Sequence, residues 1–527
     1  MSEITSLAEI VRVHGHDRAE HNAIIHGERT LTWAELYERA CRVAQALAEV
    51  GIGPQDRVAF LDKNGVEHFE LFFGASLLNA VCVDVNWRLA APEVEFIVND
   101  CEAKVFVAGA DFVPVLDAIA ANLTNAATIL VIGDHDRYES FTGWVDRHPA
   151  VDPGVTSALD DVAFQLYSSG TTGRPKGVML TNSNFFGLLP AAKQLWELTP
   201  DTVNLVAMPL FHIAGGGWAM AGMYEGCTSV IVRELDPAAL VGMFGALGIT
   251  HALLVPAALQ FLLMVPGVED ADFSSLRIMV YGASPISEAV LRKSIEVFNC
   301  KFWQAYGLTE STGTVVNLPP EDHDLDGPHT HRLRSCGVAG PGVELRIVDV
   351  DTDTDTETEI DLPTGEVGEI WVRSRQVMKG YWNLPEETDR VITRDGWLRT
   401  GDAGYLDDDG YLYIHDRVKD MIVSGGENVY PAEVENVLMD HPGVADCAVI
   451  GIPDDTWGET GKAIVVRAAG SDVTEQELID HCRRRLARFK CPTSVDWSDG
   501  LPRNPSGKIL KKDLREPYWA GRDRRVS

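Results

Sequence analysis

The sequence is short of positive charge, of paired cysteines and of long uncharged apolar runs, and each shortage excludes something. Lysine and arginine number 45 against 78 aspartates and glutamates, a formal net charge of -33. Such a field repels polyanions, which argues against sequence-independent nucleic-acid binding unless a local basic patch overrides it. A small phosphorylated ligand stays compatible, because a few backbone amides and one or two cations hold a phosphate locally. The nine cysteines, from Cys41 to Cys491, include no CxxC pair, and an odd number fits a reduced cytoplasmic protein better than a disulfide framework. The N-terminal MSEITSLAEIVRVHGHDRAE lacks the basic start and apolar centre of a signal peptide. The most apolar stretch, Ala252 to Val268, carries Pro256, Gln260 and Pro266, so it is expected to be a buried helix and not an integral membrane segment.

What is present is enough for several compact units: at about 150 residues per domain, 527 residues predict three or four. From Leu31 to Trp218 helical patterns such as TWAELYERACRVAQALAEV alternate with short apolar runs such as RVAFL and VAFQLYS, the signature of α/β layers. SLRIMVYG followed by ASPISEAVLRKSIEVF reads as strand, tight loop and helix, with Pro285 and Ser287 near the helix start. From Gly337 to Ile414 short strands and glycine-rich turns predict a small β-barrel-like subdomain. After Arg417 a compact α+β tail is expected: a helix from Pro431, strands near Ala445 to Ile452 and Lys462 to Val466, and a helix opened by a Thr474–Glu477 capping box. The acidic DTDTDTETEID, Asp351 to Asp361, lacks the central glycine and closing glutamate of an EF-hand in any register and reads as a solvated hairpin tip.

The stretch Tyr167 to Thr181, YSSGTTGRPKGVMLT, places hydroxyls, glycines and one lysine directly after a predicted strand. Glycines at Gly170 and Gly173 let amides approach phosphate oxygens; Ser168, Ser169, Thr171 and Thr172 offer donors, and Lys176 adds a charge. It is not a Walker A loop, which needs G-x-x-x-x-G-K-[ST] running into a helix, whereas here Pro175 precedes the lysine and Gly177 follows it.

This stretch resembles the phosphate loop of the adenylate-forming superfamily, to which acyl-CoA synthetases, firefly luciferase and peptide-synthetase adenylation domains belong. Further similarities follow in the superfamily's order: AMPLFHIAGG around His212, VYGASP around Gly282, QAYGLTE ending at Glu310, RTGD ending at Asp402, DRVKDMIVSGGENVYP from Asp416, and PRNPSGKI containing Lys508. The acyl-CoA synthetase branch, with its fatty-acid and coumarate CoA ligases, is the nearest in pattern. The resemblance implies a large N-terminal ATP- and acyl-binding domain over 1–416 with a β subdomain at 337–416. A hinge at 417–421 and a smaller, mobile C-terminal domain at 422–527 complete the implied division.

By the same resemblance Glu310 holds Mg²⁺, Thr309 donates to a phosphate, and Lys508 binds the carboxylate and α-phosphate during adenylation. The adenosine and phosphate surroundings would include Gly282, Ala283, Ser284, Tyr306 and Gly307. Asp402 would accept from the ribose diol, Arg417 would touch the ribose, and Lys419 would be the hinge. Gly425 and Gly426 match the loop that lets pantetheine pass after the C-terminal domain rotates. Phe211, His212 and Gly215 fall where relatives line the acyl pocket, and the low side-chain volume from Ala214 to Gly217 suggests room for a bulky acyl group. No acidic residue lies between Asp201 and Glu225, which weakens an amino-acid substrate.

The implied reaction is ATP-dependent ligation of a hydrophobic acid, a fatty acid first, to coenzyme A through an acyl-adenylate. Alternatives are an aryl-acid CoA ligase, loading of a separate carrier protein, a luciferase-like oxygenase and a non-catalytic nucleotide sensor. A homodimer is compatible with the sequence. The histidine groups His14, His16, His21, His26 and His323, His329, His331 lack zinc spacing and are expected on the surface. The basic HCRRRLARFK, His481 to Lys490, is expected to be a helix with a solvated face, and Asn182 stands where relatives carry histidine.

Overall fold

The computed structural model describes residues 4–169, 175–284, 286–349, 359–417, 420–424, 427–454, 457–503 and 509–520, with Ser169 and Arg417 described in their backbone. The chain divides into two compact units. The first comprises residues 1–333, 337–344 and 372–398; the second comprises 334–336, 345–371 and 399–527. The expected boundary at 416/417 lies inside the second unit.

Two sheets build the first unit. The eight-stranded sheet runs in the order Gly380–Tyr381, Pro175–Thr181, Val162–Ser169, Val81–Asp84, Arg57–Leu61, Val105–Gly109, Thr128–Ile132, Glu139–Ser140. Its central strands Val81–Asp84, Arg57–Leu61 and Val105–Gly109 are parallel and buried along their whole length, as in sheets covered on both faces. Only the pair Val162–Ser169 and Pro175–Thr181, and the short strand beside it, are antiparallel. The nine-stranded sheet has a parallel centre, His251–Leu254, Ile278–Gly282 and Lys301–Leu308, bounded by the antiparallel Gly313–Leu318. Helices begin where the sequence supplies caps. Thr32 and Glu35 form a reciprocal capping box ahead of Trp33–Glu49, and Ser287 caps Glu288–Phe298. Phe164, Phe72 and Phe185 meet in the core beneath the phosphate-loop hairpin, with Phe72 edge-on to Phe164 at 5.2 Å.

The second unit carries a sheet of Val343–Val348, Gly368–Ser374, Leu398–Leu406 and Leu412–Arg417, and a second sheet centred on Val444–Asp454 and Gly458–Arg467. The Thr474–Glu477 capping box forms as expected, and helix Pro431–Met439 starts at its proline. Three expectations need correction. Ala252–Val268 is not one helix. His251–Leu254 is a strand, and Pro256 opens a separate eight-residue helix whose outer face leaves Phe261 and Met264 exposed. The helix expected through Lys490 ends at Arg483, because Cys491 and Leu486 turn inward to the local core and the chain passes through a turn to do so. Two of the histidines expected on the surface are withdrawn from it, His14 fully and His323 in part. His14 is buried with Nε2 against the Tyr224 carbonyl, and His323 lies between the Tyr281 hydroxyl, 3.0 Å from Nε2, and the Pro319 carbonyl, 2.9 Å from Nδ1. Among the described residues no helix is long and apolar enough to cross a membrane.

Burial pushes the His323 and His251 imidazoles down to about 4. The unfolded chain, with histidines near the ordinary ~6.5, takes up protons between about pH 6.5 and 4 that the folded chain cannot accept. Stability from these groups is therefore complete above that window and falls as pH falls through it. Scanning calorimetry at pH 7 and 4.5 should show a smaller drop in Tm for His323→Gln than for the wild type; an equal drop would remove His323 as a source of acid sensitivity.

Candidate active site

The glycine and hydroxyl stretch forms a β-hairpin. Ser168 faces Lys176 and Ser169 faces Pro175 in register, so Gly170, Thr171, Thr172 and Gly173 fall in the turn, outside the described residues. The helix that follows, Asn182–Leu195, starts only after the second hairpin strand, with Thr181 as its cap. The loop is thus detached from any helix N-terminus, unlike a Walker A loop. Asn182 is buried and structural: its Oδ1 accepts the Leu7 amide and its Nδ2 donates to the Ala158 carbonyl.

Glu310 stands opposite the hairpin base. Strand Lys301–Leu308 ends in a one-turn 3₁₀ segment, Thr309–Ser311, locked by the Leu308 amide donating to Ser311 Oγ at 2.9 Å and by Thr312 in a left-handed conformation. This turn aims the Glu310 carboxylate so that Oε1 accepts from Ser168 at 2.9 Å and from the Tyr381 hydroxyl at 3.0 Å. The Glu310 carbonyl also accepts the Met378 amide. Lys176 is 6% exposed, and its ammonium lies 2.6 Å from Glu387 and 5.0 Å above the Tyr381 ring. The ammonium in turn holds the Glu387 carboxyl below the usual glutamate range. Sequence reasoning missed Tyr381 and Glu387, although GYWNLPEET does put an aromatic and two carboxylates beside turn formers.

Gly282 and Tyr306–Gly307 sit at the carboxyl ends of adjacent parallel strands, Gly282 paired with Ala305. In open α/β sheets that edge is where ligands bind. Immediately after Gly282, Ala283 is left-handed at φ 63°, a strained backbone of the kind concentrated at functional loops, and Ser284 follows it. The surroundings of Gly282 and Gly307 explain why both are glycine. A Cβ at Gly307 would lie 1.8 Å from the Gly313 carbonyl oxygen, and one at Gly282 would lie 2.0 Å from that of Ala305. Neighbouring strands, not a ligand, forbid a side chain there.

On the acyl side, His212 caps helix Ile213–Tyr224, its ring 4.4 Å from Phe211, which meets Trp87 edge-on. Arg88 stacks over Trp87 at 4.5 Å. His212 Nε2 is buried with no hydrogen-bond partner among the described residues. Burial, aided by the Arg88 charge, pushes the imidazole down to about 4. The room expected from Ala214 to Gly217 is already filled at Gly215, where a Cβ would lie 2.2 Å from the Pro209 carbonyl oxygen; the glycine serves the tight entry into the helix.

In the second unit Asp402 lies within strand Leu398–Leu406 and is 6% exposed. Gly401, at φ 69°, gives its amide to Glu369, and the Thr400 hydroxyl both accepts the Asp402 amide and donates to the Ile370 carbonyl. Arg417 pairs with Asp402 across the sheet. Lys419, Gly425, Gly426 and Lys508 lie outside the described residues.

Two α/β sheets and a hydroxyl-steadied carboxylate at the base of a β-hairpin fit an adenylate-forming enzyme. The chain belongs to the AMP-binding enzyme family, which matches residues 11–382, with the AMP-binding enzyme C-terminal domain at 433–508. It is 40% identical to the fatty acid–[acyl-carrier-protein] ligase ScoC of Streptomyces coeruleorubidus, covering 100% of this chain and 99% of that one. It is 40% identical to the long-chain-fatty-acid–CoA ligase FadD13 of Mycobacterium tuberculosis, with 93% of each covered. Among solved structures it is similar to ATP-bound MatB from Rhodopseudomonas palustris, with TM-score 0.87, 31% identity and 97% and 99% of the two chains covered. It also resembles the Mycobacterium tuberculosis fatty acyl CoA synthetase, with TM-score 0.77, 35% identity and 98% and 99% covered.

Two outcomes check this geometry. Gly307→Ala should lower Tm and abolish ATP binding, read by calorimetry, since strand Gly313–Leu318 has to separate from its neighbour to admit the methyl group. Because His212 is already neutral near neutrality, its removal should leave the shape of the pH–rate profile intact. His212→Asn and the wild type should run parallel in kcat/KM from pH 5.5 to 8, and loss of an ionisation in the variant would mean that the imidazole titrates in catalysis.

Proposed function

We propose that this enzyme activates a hydrophobic carboxylic acid, a fatty acid in the first instance, with ATP and transfers the acyl group to coenzyme A. The observation that carries the reading is Glu310, held by Ser168 and Tyr381 at the base of the phosphate hairpin. In the first step a carboxylate oxygen attacks the α-phosphorus and pyrophosphate leaves; in the second a thiol attacks the acyl carbonyl and AMP leaves. The barrier of the first step is dominated by negative charge on the phosphates, so positioning and charge neutralisation do most of the work.

The donor set fits a hard cation. Glu310 offers carboxylate oxygens, and its orientation is fixed before any ligand arrives. Mg²⁺ held there would neutralise phosphate charge. Thr309, at the head of the same turn, would donate to a phosphate. The hairpin hydroxyls and amides cradle the phosphates, Asp402 and Arg417 take the ribose, and Lys508 at the end of the chain holds the carboxylate against the α-phosphate. Lys419 acts as the hinge and Gly425–Gly426 as the pantetheine passage. Phe211, Trp87 and a neutral His212 give the acid an uncharged wall. Nine free cysteines support a reducing, cytoplasmic setting.

One observation favours a second acceptor: the similarity to the carrier-protein ligase spans the whole chain at the same identity as that to the CoA ligase. A separate acyl carrier protein would then receive the acyl group through the same thiol chemistry.

Pyrophosphate and AMP release should be measured across a panel of carboxylic acids with no acceptor, with CoA and with holo carrier protein. Thioester formation with CoA and a fatty acid is expected. Lys508→Ala should lose adenylation, and Glu310→Gln should lower kcat by about 100-fold, the scale of losing one charge-stabilising group. Thioester on the carrier protein alone would shift the acceptor, and no pyrophosphate release with any acid would sink the ligase reading.

A further inference from the structure

The two arms of the phosphate hairpin end on two different carboxylates, and one tyrosine touches both connections. Ser168 and Lys176 are direct cross-strand partners, the last pair but one before the turn. Ser168 donates to Glu310 at 2.9 Å, and Lys176 reaches Glu387 at 2.6 Å. Tyr381 lies between them, its hydroxyl on Glu310 and its ring 5.0 Å below the Lys176 ammonium. The short strand Gly380–Tyr381 pairs with the second hairpin strand at Met179 and Val178. The Tyr381 amide donates to Thr388 on the helix that carries Glu387. Arg390, three residues on, also pairs with Glu387.

Lys176 is buried, and its ammonium is matched by a carboxylate at charge-assisted hydrogen-bond distance. Transferring that ammonium to a phosphate would break a charge-assisted pair whose lysine is buried and leave Glu387, 20% exposed, with Arg390 as its remaining cation among the described residues. We infer that Lys176 is a positioning residue: with Glu387 it forms a strut that fixes the hairpin against Tyr381, and it serves the nucleotide through the aim of the turn and of Glu310 rather than by touching a phosphate. This rests on the ATP-dependent reading above but assigns Lys176 a different task from that of a phosphate ligand, and brings Glu387 and Tyr381 into the site.

The two roles differ in sign for Glu387→Gln. If Lys176 is a phosphate ligand restrained by Glu387, removing the restraint frees its charge and ATP binds at least as tightly. If the pair is a strut, ATP binding weakens. The experiment is calorimetric ATP binding, without acid or acceptor, to wild type, Lys176→Met, Glu387→Gln and the double variant. Alongside it, hydrogen exchange of the ligand-free proteins is followed at the amides of 176–181 and 380–381. The strut predicts about tenfold weaker binding in each single variant and about tenfold, not hundredfold, in the double, since both remove one interaction. KM for the acid should stay within about twofold while KM for ATP rises, a split that general destabilisation would not produce. Exchange should quicken in each single variant. Unchanged or tighter ATP binding by Glu387→Gln, or losses that multiply in the double variant, would overturn the strut. If the wild type itself fails to bind ATP, the ligase reading falls, and the strut is then judged by the ligand-free exchange, where unchanged protection in Glu387→Gln refutes it.

Discussion

The constraint on which the site depends is the fixing of the Ser168–Lys176 hairpin base without a helix directly after it. Gly170 to Gly173 offer few side chains for packing, and the next helix begins only at Asn182. Rigidity has to come from the hairpin base, where Ser168 and Lys176 each terminate on a carboxylate carried by a different part of the chain. Those carboxylates are themselves fixed locally, Glu310 by the Ser311 and Thr312 turn and Glu387 by the helix docked through Thr388. Preorganisation of this sort makes charge placement effective in a catalytic site, because nothing has to reorganise when phosphate charge develops.

The α/β layering was legible because parallel strands buried on both faces give continuous apolar runs, as in RVAFL, and because the capping boxes at Thr32 and Thr474 announce helix starts. Where periodicity is ambiguous the reading erred. HALLVPAALQ is apolar throughout, and only the tertiary pairing of His251–Leu254 with its neighbours makes its first part a strand. The basic tail of helix Glu475–Arg483 looked helical from its side chains, yet Cys491 packs inward and the helix yields to that contact.

Individual site residues were legible as chemistry but not as partnerships. Glu310 and Ser168 stand out by type and spacing, and they do meet. That Lys176 is answered by Glu387, 211 residues later, leaves no local trace in sequence, and the same holds for Tyr381. Among the glycines, Gly215 was misread as room for the acyl group. At Gly215, Gly282 and Gly307 the missing Cβ is demanded by a carbonyl oxygen 1.8 to 2.2 Å from where it would sit, a close approach of backbone to backbone that composition cannot distinguish from space left for a ligand.

The placement of the phosphate loop in a hairpin turn also bears on how such a site varies in evolution. A Walker A loop is the entry to its helix, so any change in its length rotates the helix and the layer it packs on. Here five residues of strand lie between Lys176 and the helix that starts at Asn182, a span of about 20 Å at the usual rise. A change of length between Ser169 and Pro175 is separated from that helix by the Ser168–Lys176 pair and the strand after it, so this segment can vary without rotating the helix.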